Sequence, residues 1–160
     1  MSAAIPTIAE AAKQIAAKQL SPVELTQACF DRVRALDDRL HAFVHLTEER
    51  ALAEARAAET AIMSNGPKGP LHGIPIGLKD IVDTKGIPTT CQSKLLQDNI
   101  PDADATCAER LNAAGSVLIG KLTTHEFADG GPSFDLPKPP AREVGRCAAQ
   151  RRRWRWRCSR

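Results

Sequence analysis

The sequence predicts an α/β fold in which N-terminal helices precede the start of a sheet flanked by helices. Capping signals and apolar residues at spacings of three and four dominate roughly the first 63 residues. A break rich in Gly and Pro follows at 65–70. After it, two short apolar runs are separated by a helical pattern, which is the alternation expected when helices cover a sheet.

The first two predicted helices have clear start signals. Thr7 and Glu10 match a capping box, and Ser21 and Glu24 match a second one with Pro22 at the first helical position. The second helix carries one apolar face, formed by Leu25, Ala28, Cys29, Val33 and Leu36. We interpret both helices as packing elements.

A short strand and a third helix are predicted before the break. Residues 42–44 are apolar and too few for a helix, which favours a strand. Thr47 and the two glutamates after it open an Ala-rich helix that runs to about Met63. This helix places its charges on an outer face, so it too is expected to pack through its alanines.

The segment after the break predicts strand, helix and strand. Residues 74–78 form a short apolar run, which we interpret as a buried strand. Either Asp102 or Asp104 is expected to cap a helix that Gly115 ends. Residues 116–120 then predict a second buried strand. Two such strands are too few to close a sheet.

The composition is that of a globular protein and gives no sign of a membrane span. Hydrophobic residues make up 42% and charged residues 26% of the chain. No apolar run is long enough to cross a bilayer, and the N-terminus lacks the features of a signal peptide, so we expect a cytoplasmic location. The five cysteines are scattered without a CxxC pair, so neither a disulfide framework nor a zinc site is predicted.

The charge pattern changes near Arg142. The first 140 residues hold 14 Lys and Arg against 18 Asp and Glu, whereas residues 141–160 hold eight arginines, one glutamate and both tryptophans. A basic segment with tryptophan suits binding to nucleic acid or to an anionic membrane. The competing interpretation is a solvated, disordered extension, because a basic run alone is a loose motif.

Lys79 is the candidate catalytic residue. It follows the predicted strand at 74–78 and precedes Asp80. A lysine at the end of a buried strand would be desolvated, and desolvation lowers the pKa of an amine so that it can act as a base. The alternative is a surface lysine whose aliphatic stem packs on apolar neighbours.

Two histidines are weaker candidates. His125 and Glu126 begin an HExxH-like pattern, but the second histidine is missing, so a metalloprotease is not predicted. His72 lies in the predicted loop before the first strand. It could line a pocket, although we expect it to be exposed.

Several blocks of the sequence, in order, resemble the amidase signature family. Its lysine segment is matched by Gly73-Ile74-Pro75-Ile76-Gly77-Leu78-Lys79-Asp80. The similarity continues through 83–90, 104–106, 111–121 and 124–128, and the opening helices also fit. In all, it runs from about residue 5 to Arg142.

The resemblance implies an incomplete amidase-signature fold with a mixed sheet. It implies hydrolysis of the C–N bond of a small-molecule carboxamide, or transfer of the released ammonia, without metal or cofactor. The implied mechanism uses a serine nucleophile, a second serine on a cis peptide bond, and a lysine, for which Lys79 is the matching position. The amide itself, and the choice between a free amidase and the amidase component of a transfer-RNA amidotransferase, stay open.

The sequence departs from the family after Arg142. Similar proteins continue into Gly- and Ser-rich segments that carry both serines, whereas this sequence has no such segment. A Trp codon, TGG, followed by an Arg codon reads as a Gly codon one base later, so a Gly-rich segment translated out of frame would become rich in Arg and Trp.

These observations predict two parts and an inactive chain. Residues 1–142 are the N-terminal part of an amidase-like domain, and residues 143–160 are a basic, out-of-frame and disordered tail. The chain as it stands is expected to lack amidase activity, to bind neither a metal nor a membrane, and to bind nucleic acid only if the tail is functional. Because its strands lack neighbours, we also expect it to aggregate.

Overall fold

Four α-helices and three β-strands form in the part of the chain that the computed structural model describes, residues 5–130 and 136–142. In chain order they are α1 (Ile8–Ala16), α2 (Pro22–Leu40), β1 (Phe43–Leu46), α3 (Glu48–Asn65), β2 (Pro75–Lys79), α4 (Thr106–Ala113) and β3 (Val117–Leu122). Short 3₁₀ turns at Lys94–Leu96 and Glu126–Ala128 interrupt the loops. The predicted α/β class and the order of its elements are confirmed.

The sheet is mixed, as expected. Its strand order is β1-β3-β2, with β1 antiparallel and β2 parallel to the central strand β3. At Gly120 the backbone of β1 leaves no space for a side chain, because an added Cβ would lie 2.4 Å from the His45 carbonyl oxygen. Gly120 therefore lets β1 approach β3 closely.

Both predicted capping boxes are present. The Thr7 hydroxyl accepts a hydrogen bond from the Glu10 N–H, and the Glu10 carboxylate accepts one from the Thr7 N–H. Ser21 and Glu24 make the same reciprocal pair at the start of α2. These bonds satisfy backbone donors that a helix N-terminus otherwise leaves free.

The apolar faces of the first three helices meet in two buried clusters. One lies between α1, α2, α3 and the residue before β2, and contains Ala11, Ile15, Leu25, Ala58, Ile62 and Ile74. The other lies between α2, α3 and β3, and contains Phe30, Ala51, Ala55, Val117 and Ile119. The small alanines on α3 let this helix pack close to its neighbours. The helices thus support β3, which in turn positions β2.

The structure corrects two details of the second half. The N-cap of α4 is Ala105, which makes no side-chain cap, because the Asp104 carboxylate instead accepts a hydrogen bond from the Lys85 N–H at 2.6 Å. Strand β2 is half-buried, whereas 74–78 predicted a buried strand. Only the preceding Ile74 is fully buried. The run 116–120, in contrast, is buried throughout, as predicted.

Within the described residues, no helix has both the length and the hydropathy needed to cross a bilayer. The predicted basic tail at 143–160 lies outside the described residues. The last described residue, Arg142, donates its N–H to the Leu40 carbonyl at the end of α2, at 2.7 Å.

Candidate active site

Lys79 is the last residue of β2 and points away from the core. Its backbone is opposite Leu122 in the parallel ladder, and the next N–H, that of Asp80, donates to the Leu122 carbonyl at 2.9 Å. The Lys79 side chain is exposed, whereas the apolar run before it predicted burial. The reason is that β2 is an edge strand of the described sheet, so no described element covers its end.

The backbone before Lys79 lies close against β3. At Gly77 an added Cβ would be 3.0 Å from the Leu122 side chain, so a larger residue could not sit there without displacing Leu122. The glycine therefore brings the end of β2 against Leu122. This contact and the ladder bonds fix the backbone that carries Lys79.

Asp80 is buried, although it directly follows the exposed Lys79. Its side chain has 0% relative accessibility. The Thr90 hydroxyl donates to one carboxylate oxygen at 2.6 Å, and the Thr90 N–H donates to the same oxygen at 3.2 Å. The Asp80 carbonyl accepts from the Cys91 N–H at 2.9 Å. Asp80 therefore ties the end of β2 to the loop at 90–91.

Lys121 is a second lysine in this region, and its side chain has 0% relative accessibility. The ammonium donates to the Val82 carbonyl and to the Thr89 hydroxyl, both at 2.6 Å. It also lies 3.5 Å from the Thr84 hydroxyl and 3.9 Å from the Asp80 carboxylate. These oxygens supply the partners that a buried ammonium needs.

Burial lowers the pKa of Lys121 below its ordinary value. The carboxylates of Asp80 and Asp83 and the Cys91 thiol act in the opposite direction and favour the charged form. Burial also raises the pKa of Cys91, and the same two carboxylates raise it further. The loop between β2 and α4 is thus organised around a buried charge pair, Asp80 and Lys121.

The sequence pattern alone did not single out Lys121, although it carries a signal for its burial. Lys121 continues the alternation of Val117 and Ile119 along β3, so it lies on the side of the strand that faces inward. A lysine at the end of such a pattern needs acceptors. The threonines at 84 and 89 supply them, but they are distant in sequence, so the network becomes visible only in the fold.

His72 is buried at 4% relative accessibility, so the expected exposed position is wrong. Its Nδ1 accepts a hydrogen bond from the Lys68 N–H at 3.0 Å. Its ring packs on Gly115, where an added Cβ would lie 2.4 Å from the ring carbon Cδ2. Burial, followed by the charge of Lys68, lowers the pKa of His72. It joins the loop before β2 to the turn before β3.

The buried serines of the described segments serve the local backbone. The Ser93 hydroxyl accepts from the Leu95 N–H at 3.3 Å, and the Ser116 hydroxyl donates to the Leu111 carbonyl at 2.8 Å. Among residues 5–130 and 136–142, no group of three or more His, Cys, Asp or Glu side chains is placed to hold a metal ion. Lys79 and the Asp80–Lys121 pair are therefore the features of this region with chemical potential.

Comparison with known proteins gives consistent matches. The model of the Amidase family matches residues 24–133, which is more than half of the chain. One subunit of the glutamyl-tRNA(Gln) amidotransferase from Salinispora tropica is 48% identical over 152 residues, covering 88% of this chain and 31% of the relative. The corresponding protein from Chloroflexus aggregans is 49% identical over 124 residues, covering 78% of this chain and 25% of the relative.

Solved structures agree with the sequence comparison. A peptide amidase from Stenotrophomonas maltophilia superposes with a TM-score of 0.71 at 36% identity, over 75% of this chain and 25% of that one. A bacterial aryl acylamidase of the amidase signature family superposes with a TM-score of 0.71 at 27% identity, over 77% and 26%. The chain spans about a third or less of the length of the curated relatives it matches. By its sequence match and its fold, the chain belongs to the amidase family.

Proposed function

We propose that Lys79 is the proton-accepting lysine of a serine amidase that cleaves the C–N bond of a carboxamide. The observation that supports this role is the position of Lys79. It lies inside the matched residues 24–133, at the end of β2, and its amine extends away from the core. A neutral amine there is free to face residues supplied by the rest of an amidase domain.

The chemistry explains why a lysine is needed. A serine hydroxyl is a weak nucleophile until a base removes its proton. In the proposed mechanism a neutral Lys79 takes that proton through a bridging serine and later returns one to the leaving amine. Backbone N–H groups of a Gly- and Ser-rich segment would stabilise the oxyanion.

We also propose that residues 1–142 are the N-terminal part of the domain and that the chain as it stands does not hydrolyse amides. Arg142 still bonds to the end of α2, which supports a domain part that reaches this residue. The sequence after it contains no Gly- and Ser-rich segment that could carry the two serines. Residues from about Glu143 onward are, in this proposal, translated out of frame.

The substrate is proposed at the level of its chemical class, a carboxamide. The relatives named as glutamyl-tRNA(Gln) amidotransferase components include one at 48% identity, against 36% for the peptide amidase structure. The higher identity favours ammonia transfer within a multi-protein complex over a free amidase. Co-purification of a complete polypeptide with further proteins of such a complex is the expected result, and a polypeptide that hydrolyses amides alone would favour the free enzyme.

The proposal is tested first at the level of the DNA. The coding region from residue 130 to beyond the present end is resequenced from source material. We expect a one-base change of frame near Arg142 to open a Gly- and Ser-rich continuation. A confirmed sequence with no frame that encodes the missing serines would refute the out-of-frame proposal.

The role of Lys79 is tested in the continuous polypeptide by ammonia release from carboxamides. We expect Lys79→Met to lower kcat by about 10³-fold, since the base that activates the serine is lost. Lys85→Met is the matched control, because Lys85 is also exposed and belongs to the loop that follows β2. Equal activity of Lys79→Met and Lys85→Met would rule out the proposed base. The 160-residue chain itself is expected to release no ammonia above the buffer rate.

A further inference from the structure

Lys79 and Asp80 are neighbours in sequence, but their side chains occupy opposite environments. Lys79 is exposed and Asp80 is fully buried, as expected where consecutive side chains of an extended backbone point to opposite sides. A carboxylate close to an amine favours the ammonium form, which cannot accept a proton. If Lys79 acts as a base, the charge of Asp80 has to be held away from it.

Asp80 is held from two directions. Thr90 binds its carboxylate through both the hydroxyl and the backbone N–H. The Lys121 ammonium lies 3.9 Å from the other carboxylate oxygen, with both side chains inaccessible to solvent. The pair is therefore a buried one, in which each charge depends on the other for compensation.

Lys121 is itself fixed by the loop that follows Lys79. Its bonds to the Val82 carbonyl and the Thr89 hydroxyl place the ammonium inside that loop, on the core side of Asp80. The other ionisable groups that act on it in the described structure are Asp83 and the Cys91 thiol. Its position lets it attract the Asp80 carboxylate inward.

We propose that Lys121 is a positioning residue for Lys79: it holds and neutralises the Asp80 carboxylate inside the protein, so that Asp80 does not pair with the Lys79 ammonium. This inference rests on the proposed function, because it matters for catalysis only if Lys79 is the base. It gives the buried pair a task beyond the stability of the loop.

The test measures how the acylation of Lys79 depends on pH in the 160-residue chain. Acetic anhydride labels only neutral amines, and mass spectrometry of peptides quantifies the rate at Lys79 and at the exposed Lys13 of α1 as an internal reference. Lys121→Met leaves the Asp80 charge uncompensated, so the Lys79 profile should move to higher pH by about half a unit. Asp80→Asn leaves an uncompensated cation, so the profile should move to lower pH by a similar amount.

The double variant Asp80→Asn, Lys121→Met restores charge balance and should return the Lys79 profile to that of the unaltered chain. Lys121→Arg keeps the cation and should also preserve it. A merely structural role of the pair would loosen the loop in both single variants and would move the two profiles in the same direction. Shifts of the same sign, or no shifts, would therefore overturn the proposal.

Removal of one partner of a buried pair can prevent folding, so circular dichroism is recorded for every variant. If a single charge variant is unfolded, Thr90→Val carries the test, since it keeps both charges and removes only the hydroxyl that binds Asp80. We expect a shift of the Lys79 profile to higher pH, and none in the control Thr60→Val on the exposed side of α3. An unchanged Thr90→Val profile would overturn the proposal.

The acylation profiles need no turnover, so they fail independently of the proposed function. Loss of the opposed shifts with a strong effect of Lys79→Met on hydrolysis would refute the positioning role alone. Opposed shifts without any effect of Lys79→Met would support the role of Lys121 toward the charge of Lys79 and refute Lys79 as the base.

Discussion

His72 makes the stability of the described structure depend on pH. Its Nδ1 has to be unprotonated to accept the Lys68 N–H, and burial holds its pKa below the usual value near 6.5. Because the folded pKa is lower than the unfolded one, the contribution to stability is fully present above about pH 6.5 and is lost as the pH falls through the folded pKa.

We therefore expect the urea midpoint of the chain to fall when the pH is lowered from about 8 to about 5. His72→Asn removes the titrating ring and keeps an acceptor, so its midpoint should change less over this range. The control His45→Asn replaces an exposed histidine of β1 and should keep the full pH dependence. An identical pH dependence in all three chains would show that His72 does not carry the effect.

Gly115 combines two constraints at one residue. Its φ of +81° favours glycine, and a Cβ there would lie 2.4 Å from the His72 ring. Gly86 has a similar φ of +72° but nothing within 4 Å of an added Cβ. We expect Gly86→Ala to lower the free energy of unfolding by about 1 kcal/mol from backbone strain alone. Gly115→Ala should lower it by about 3 kcal/mol, since the clash adds to the strain. Equal losses in denaturant titrations would contradict the contact with His72.

At the level of elements, the start of α2 depends on its capping box. The Ser21 hydroxyl accepts from the Val23 N–H at 3.0 Å and from the Glu24 N–H at 3.3 Å. Ser21→Ala should lower the free energy of unfolding by about 1 kcal/mol, because both backbone donors lose their acceptor. Ser64→Ala, near the exposed end of α3, is the control and should cost less than about 0.5 kcal/mol. A cost at Ser64 equal to that at Ser21 would argue against the cap.

Local signals explain which elements could be predicted from the sequence. The starts of α1 and α2 were predictable because the capping residues lie within three positions of each other. The cap of α4 was not, because Asp104 has a competing partner, the Lys85 N–H, 19 positions away. The hydroxyl of Thr47 likewise binds the distant Leu118 carbonyl at 2.7 Å instead of capping α3. Tertiary contacts took over both side chains.

At the level of the molecule, the class of the fold was predictable and the environment of the site was not. Alternating helices and strands identified the α/β class, and the block around Lys79 pointed to the family. The exposure of Lys79 follows from the strand order, which places β2 at an edge of the described sheet. The burial of Lys121 follows from acceptors 32 to 39 positions away. Neither fact is encoded within one short segment.

The edges of the described sheet are expected to make the chain self-associate. Strands β1 and β2 each have one side without a strand partner among the described residues, and such an edge exposes unpaired N–H and carbonyl groups. Apolar side chains are exposed nearby: Ile81, two residues after β2, is 40% accessible, and Leu95 is 85% accessible. Exposed edges and apolar side chains together favour association.

Sedimentation velocity at increasing concentration should show species larger than a monomer. Ile81→Lys should reduce them, since a charge beside the free edge of β2 opposes pairing with another chain. Met63→Lys is the matched control, because Met63 is 56% accessible but lies on α3, away from the sheet edge. It should leave the association unchanged. A monomer at every concentration would contradict the prediction, and an equal effect of the two substitutions would assign the association to general hydrophobicity instead of the edge of β2.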